Sequence, residues 1–347
     1  MTDEFELEPE VIPFETVMEA LLDNNTPFSA AYIYHFSDIS SEHFDVLKAC
    51  WDKIDPLRLI GLIEDLAEIS HLDTLVSFED IAWLCINNQD PKIRTLAIQL
   101  LLNTDKTSKR IAEGFLNLLN NDGNSVVRAA AASALDIFIY TGELEKISEE
   151  LLRRVEKALL TKISSDEILH VKRKCLESLG FSSRKEIPAL IEEYFNEGQD
   201  FWKESAIIAM GKSADPRWHD QVLEMIYHHS ESIRFEAIRA AGELELRKAR
   251  SILMGFLDEP DNFDEDTISA IIWSLSQIGG EGVSELLNSI MEDIDDVEQE
   301  EFILNAIENL VLTEGFYDFN MFDIDEDEEL KDSFSENDFL STLDMDE

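Results

Sequence analysis

Positive charge is what this chain has least of. Its 347 residues include 28 lysines and arginines against 75 aspartates and glutamates, a net charge of −47. Repulsion on that scale disfavours nucleic acid backbones and anionic membranes, and it favours a basic protein or a cation as partner. Cysteine is sparse as well. Cys50, Cys85 and Cys175 stand apart, with no C-x-x-C and no Cys/His ligand spacing, so they read as free thiols in a reducing cytosol. The acidic N-terminus (Asp3, Glu4, Glu6, Glu8, Glu10) lacks the basic-then-apolar run of a signal peptide. No apolar stretch approaches the roughly 20 residues that span a bilayer. The expectation is a soluble cytoplasmic protein. Also missing are a G-x-S-x-G elbow, a Gly-rich phosphate loop and any sustained period-two alternation, so almost no strand is expected.

What the chain does have is a repeat. An apolar residue precedes a basic one, a small residue follows at plus three, and a small or apolar pair closes at plus seven and plus eight. Clear copies are Ile93-Arg94 with Ala97, Val127-Arg128 with Ala131 and Leu135, and Ile233-Arg234 with Ala237, Ala241 and Gly242. Weaker copies run from Val171-Lys172 to Gly180 and from Trp202-Lys203 to Gly211. The basic positions 94, 128, 172, 203 and 234 are spaced by 34, 44, 31 and 31 residues, the period of a stacked helical solenoid. Asp55-Pro56, Asp90-Pro91, Asp215-Pro216 and Thr26-Pro27 each offer an N-cap acceptor followed by an N1 proline, which marks helix starts. Partner helices carry their own stripes, such as Ile111, Phe115, Leu118 and Leu119, or Leu151, Leu152, Val155 and Leu159. The 44-residue step predicts a helix through Tyr140, a break at Thr141-Gly142 and a longer helix over about 148–164.

Beyond Arg234 the pattern continues without its basic residue, in Ile268, Leu275, Ile278 and Gly279, and again in Ile303, Ala306 and Leu310. Upstream, Leu57-Arg58 is a degenerate copy. The expected organisation is a lead-in over 1–13, degenerate helical repeats over 14–89, the regular solenoid over 90–317 and a tail over 318–347. That tail holds 13 acidic residues and one lysine, with phenylalanines at no helical spacing, and reads as disordered. Without it the chain still carries 62 acidic and 27 basic residues. The fold class expected is all-α, a right-handed α-solenoid of about eight to nine helical hairpins.

The motif helices resemble the second helix of HEAT repeats, including the short bacterial phycobilisome-lyase-like variety. The residues that carry the resemblance are Asp90 to Arg94 with Ala97, Asn124 to Arg128 with Ala131 and Leu135, Ser230 to Arg234 with Ala237 and Gly242, and the helix ending at Gly279-Gly280. The likeness is good over about 90–312 and loose over 14–89, and it points to fold far more than to function. It implies that Arg94, Arg128, Lys172, Lys203 and Arg234 pair with polar groups at neighbouring turns and hold repeats in register. Asp90, Asn124, Asp166, Asp200 and Ser230 are the candidates for those partners.

Few residues suggest chemistry. Hydroxylases of this class use His-Glu dipeptides, and none occurs here. No catalytic, metal-binding or cofactor-binding residue is assigned. His228-His229 is expected at an exposed helix end, where a cation suits the dipole. Asp323, Asp325 and Asp327 start like a calcium loop, but Glu328 and Phe334 fall where a glycine and a bidentate glutamate belong. Ten of the 28 basic residues cluster between Lys146 and Lys185. Of these, Arg153, Arg154, Lys157, Arg173 and Lys174 are candidates for an interaction surface, as is Trp218, expected to be exposed after Asp215-Pro216-Arg217. The alternative is that this island pairs internally with Glu149, Glu150, Glu156 and Glu177.

The expected function is a non-enzymatic scaffold or adaptor for a basic protein, without direct binding to nucleic acid or membrane. The alternatives are an enzyme or enzyme subunit, as lyase and hydroxylase relatives would imply, and an acidic mimic of nucleic acid that occupies a DNA- or RNA-binding protein.

Overall fold

A computed structural model describes residues 12–165, 167–292, 294 and 296–319. Its regular structure is helical throughout: eighteen α-helices and five short 3-10 turns, with no strand among the described residues. The expected lead-in to residue 11 and the expected tail from 320 onward lie outside them. The last helix, Val297–Phe319, runs two residues into the segment assigned to that tail.

Two compact units divide the chain. The first holds the described residues through Trp218 together with His228–Glu236, and the second holds His219–Tyr227 and Ala237 onward. In the first, helices Pro56–Leu72, Pro91–Leu102, Ser125–Ala134, Leu169–Leu179 and Asp200–Lys212 pack side by side in chain order. Helices Glu79–Cys85, Lys109–Asn121, Glu149–Ile163 and Ile187–Asn196 pack as partners against that row. In the second, helix Glu265–Ile278 packs on Arg250–Leu257, Val283–Glu292 and Val297–Phe319. Each unit is therefore a stack of helical hairpins, an α-solenoid.

The repeat motif accounts for this packing. The residue before each basic position (Ile93, Val127, Val171, Trp202, Ile233) is buried, as is the plus-three residue (Ala97, Ala131, Cys175, Ala206, Ala237). The glycines at plus eight bring backbones together. A Cβ on Gly180 would lie 2.7 Å from the Ala209 carbonyl oxygen, and one on Gly242 would lie 2.8 Å from the Ser274 Cα. These separations are shorter than a methyl group can occupy, so both sites require glycine.

The Asp-Pro starts behave unequally. Asp55 caps Pro56–Leu72 by accepting from the Leu57 and Arg58 amides, and Asp90 caps Pro91–Leu102 through the Lys92 amide. Asp215 accepts from the Arg217 amide and opens the 3-10 turn Pro216–Trp218, which leads directly into helix His219–Met225. Thr26-Pro27 starts nothing. The Thr26 hydroxyl donates instead to Asp23, and Ser29 caps a 3-10 turn over Ala30–Phe36. The irregular step also differs from expectation. The helix breaks at Leu135 and resumes as Asp136–Glu143, so Thr141 and Gly142 are helical and buried, and the turn falls at Glu145 with a φ of 57°. Gly142 sits against Leu152 of the following helix, where a Cβ would lie 2.8 Å from its Cδ1. Close packing, and not a chain break, explains the glycine. Helix Glu149–Ile163 follows, capped by Ser148 as the pattern predicts.

Candidate functional site

Three arginines of the clear repeat copies make the same contact. Arg94 donates from Nη1 to the Asn88 carbonyl, Arg128 to that of Asp122 and Arg234 to that of His228, in each case six residues back. Each guanidinium so satisfies an orphan carbonyl in the turn before its own helix. Arg94 and Arg128 then reach forward with both remaining nitrogens. Arg94 is bidentate to Asp122 at 2.7 and 2.7 Å, and Arg128 to Glu167 at 2.8 and 2.6 Å. Such planar pairs fix geometry as well as charge. The Ile168 amide at 2.8 Å and Lys162 at 3.4 Å add further donors to Glu167.

The expected partners were thus misplaced by one or two residues. Asn124 is an N-cap, and the acid that meets Arg94 is Asp122 just before it. Glu167, not the neighbouring Asp166 that lies outside the described residues, meets Arg128. Asn124 already gives its acceptor to the Val126 amide of its own helix, which leaves Asp122 to meet the facing repeat. Asp122 has two roles, since its carboxylate takes Arg94 while its carbonyl takes Arg128. The Arg128 hydrogen bonds outweigh burial and bring the Glu167 carboxyl down to about 2. At Asp122 burial pushes upward, but Arg94 and the Asn124 amide hold the group below the usual carboxylate range. The lysines do not continue the ladder. Lys203 lies over the Phe195 ring at 5.8 Å, and Lys172 has no ion-pair partner among the described residues.

The central basic cluster is largely engaged within the fold. Arg153 pairs with Glu156 at 2.9 Å, Arg154 with Glu113 at 3.2 Å, Arg173 with Glu204 at 3.0 Å and Lys174 with Glu177 at 2.7 Å. Lys157 is exposed and has no ion pair among the described residues. Glu156 is fully buried, and besides Arg153 it takes the Ser182 hydroxyl and faces Arg184 at 3.7 Å. Glu177 accepts the Ser205 hydroxyl at 2.7 Å, and Ser205 in turn accepts from Arg173 Nε at 2.8 Å. Two more buried serines donate to facing backbones, Ser178 to the Ala132 carbonyl and Ser274 to that of Ile238. Charges and hydroxyls so arranged lock neighbouring helices; no imidazole is among their hydrogen-bond partners. Glu156 was legible in part, because Leu152, Glu156 and Leu159 share one helical face. The serines carried no signal beyond their place in apolar stripes.

Two expectations are corrected. Trp218 is 3% exposed and belongs to the core, because the 3-10 turn after Asp215 directs its ring inward. Its indole Nε1 is buried without a hydrogen-bond partner. His228 is not a cation at a helix end. Its Nδ1 accepts from the Ser230 amide in the turn before helix Glu231–Glu243, and burial, with His229 and Lys203 nearby, lowers its pKa.

The clefts of the surface differ in charge. One of 580 Å³ beside Trp51 is lined by Asp52 and Asp90, one of 450 Å³ by Asp261 and Glu265, and one of 400 Å³ by Glu64, Glu68 and His71. None of the three is lined by a lysine or arginine. A fourth, of 520 Å³, is lined by Arg184, Lys185 and Arg217 with Asp215 as its single carboxylate. Among the described residues no three His, Cys, Asp or Glu side chains stand together to hold a metal ion. Nor is any described helix long and apolar enough to cross a membrane.

The fold is an all-α solenoid of paired helices. No family model matches the chain, and no curated protein sequence matches it. Solved structures resemble it at low identity. YibA of E. coli is 18% identical, with 83% of this chain and 99% of that one covered, at a TM-score of 0.39. The CpcE–CpcF complex of phycocyanin lyase from Nostoc is 16% identical over 67% and 94%, at 0.44. Human deoxyhypusine hydroxylase is 14% identical over 87% and 96%, at 0.33. Likenesses this distant carry no activity, substrate or partner to the chain.

Proposed function

We propose that the protein is a non-enzymatic cytoplasmic scaffold that holds a basic protein partner against an acidic HEAT-like solenoid surface. The supporting observation is how the scarce cations are used. Arg94 and Arg128 are drawn into inter-repeat pairs, and Arg153, Arg154, Arg173 and Lys174 into pairs with neighbouring glutamates. Cations paired in this way leave the remaining carboxylates to set the sign of the surface, and the clefts beside Trp51, Asp261 and Glu64 are acidic. Such a field speeds encounter with a basic partner and repels nucleic acid. Affinity capture with the full chain, repeated at low and high salt, tests the reading. Partners of high isoelectric point that are released as salt rises are the expected result. Partners of average charge, held equally at both salt levels, would overturn it.

A further inference from the structure

We propose that the 520 Å³ cleft between the 182–191 segment and the 213–218 turn is a binding site for a carboxylate carried on an apolar group. It lies wholly within the first unit and does not depend on the basic-partner reading. Three observations converge on it. The first is charge: Arg184, Lys185 and Arg217 line it, in a chain of net charge −47 whose other described clefts are acidic. The second is shape and polarity. Ile187, Pro188, Ile191 and Trp218 line the same space, whose volume suits a small organic group.

The third observation is an unmet donor. Trp218 lines the cleft, is 3% exposed, and its indole N–H has no acceptor. A buried donor of this kind is costly to leave unpaired, and because the N–H is itself closed to solvent, a ligand oxygen in the cleft would reach it only with a small shift of the ring.

The charges around the cleft decide which anion fits. Arg217 is already paired with Asp215 at 2.6 Å, and Arg184 with Glu186 and, more distantly, with the buried Glu156. Glu143 takes the Ser183 amide nearby. Lys185 is exposed and without an ion pair among the described residues. The unneutralised charge is therefore modest and suits a single carboxylate better than a doubly charged phosphate. One carboxylate oxygen would take the indole N–H while the other faces Lys185 and Arg217, and the apolar body would lie on Pro188 and Ile191. A free small acid and a peptide glutamate beside an aromatic residue share this chemistry.

The test is a titration of the ¹⁵N-labelled full chain, read at the Trp218 indole N–H signal and assigned by its loss in Trp218→Phe. Phenylacetate and the blocked dipeptide acetyl-Glu-Phe-amide are the two probes; phenylacetamide and acetate are the controls. Saturable displacement of that signal by either probe is expected, and which probe acts identifies the source. Loss of the charged hydrogen bonds should weaken binding about tenfold in the exposed double variant Lys185→Ala/Arg217→Ala and with phenylacetamide. Helical circular dichroism confirms that the variant is folded. An indole signal that no probe moves would overturn the proposal. So would equal displacement by both controls, or undiminished binding in a folded double variant.

Discussion

At the scale of single residues, the most consequential pair is Arg128 with Glu167. The Glu167 carboxyl lies at about 2 in the folded chain against an ordinary value of 4.5. Its stabilisation is therefore complete above about pH 4.5 and is lost as pH falls toward 2, and a shift of that size corresponds to about 3 kcal/mol. Glu167→Gln should lower the urea unfolding free energy by about 2–3 kcal/mol at neutral pH, with the difference from the parent chain vanishing in acid. An unchanged difference across that pH window would mean that the pair contributes nothing through charge. The thiols give a second residue-scale expectation. Burial pushes Cys85 and Cys175 well up, and both are enclosed in the core, whereas Cys50 is partly exposed. Native protein should accordingly react with one equivalent of a thiol reagent at Cys50, and with three only after unfolding.

At the scale of helices, the glycines at plus eight set the closest approaches. Gly180→Ala would drive a methyl group into the Ala209 backbone, which cannot rotate away, and should cost about 1–3 kcal/mol by urea denaturation. Gly61→Ala is the matched control, because no atom lies within 4 Å of its added Cβ. In the helical Pro56–Leu72 setting it should be neutral or slightly stabilising. The motif made this level largely legible. The apolar, small and closing positions at 93, 97 and 101 are all buried, as are those at 127, 131 and 135. Legibility failed where a position's meaning depends on a second segment. Gly142 read as a break until its neighbour Leu152 was in place, and Trp218 read as exposed because a polar turn precedes it. Asp122 and Glu167 were missed for the same reason, since the arginine each carboxylate meets belongs to the preceding repeat. Nor could any linear pattern bring Lys185, Pro188 and Arg217 to one cleft, since 32 residues separate the outer two.

At the scale of the whole molecule, net charge dominates. Residues 1–317 carry 62 acidic and 27 basic groups, so the folded chain repels itself. Added monovalent salt shortens the screening length from about 30 Å at 0.01 M to about 8 Å at 0.15 M. The thermal midpoint should rise over that range, as followed by circular dichroism. A falling midpoint would show that the arginine–carboxylate pairs, and not the bulk repulsion, govern the response. The two descriptions meet at Asp122, which holds one neighbour by its side chain and the next by its main chain. In the language of sequence drift, such a residue is a constraint on two repeats at once. Any acceptable exchange there has to preserve the carboxylate for Arg94 and the turn geometry for Arg128, while an exposed position such as Lys157 is free to vary. Homologous chains should accordingly change Asp122 and Arg94 together or leave both alone.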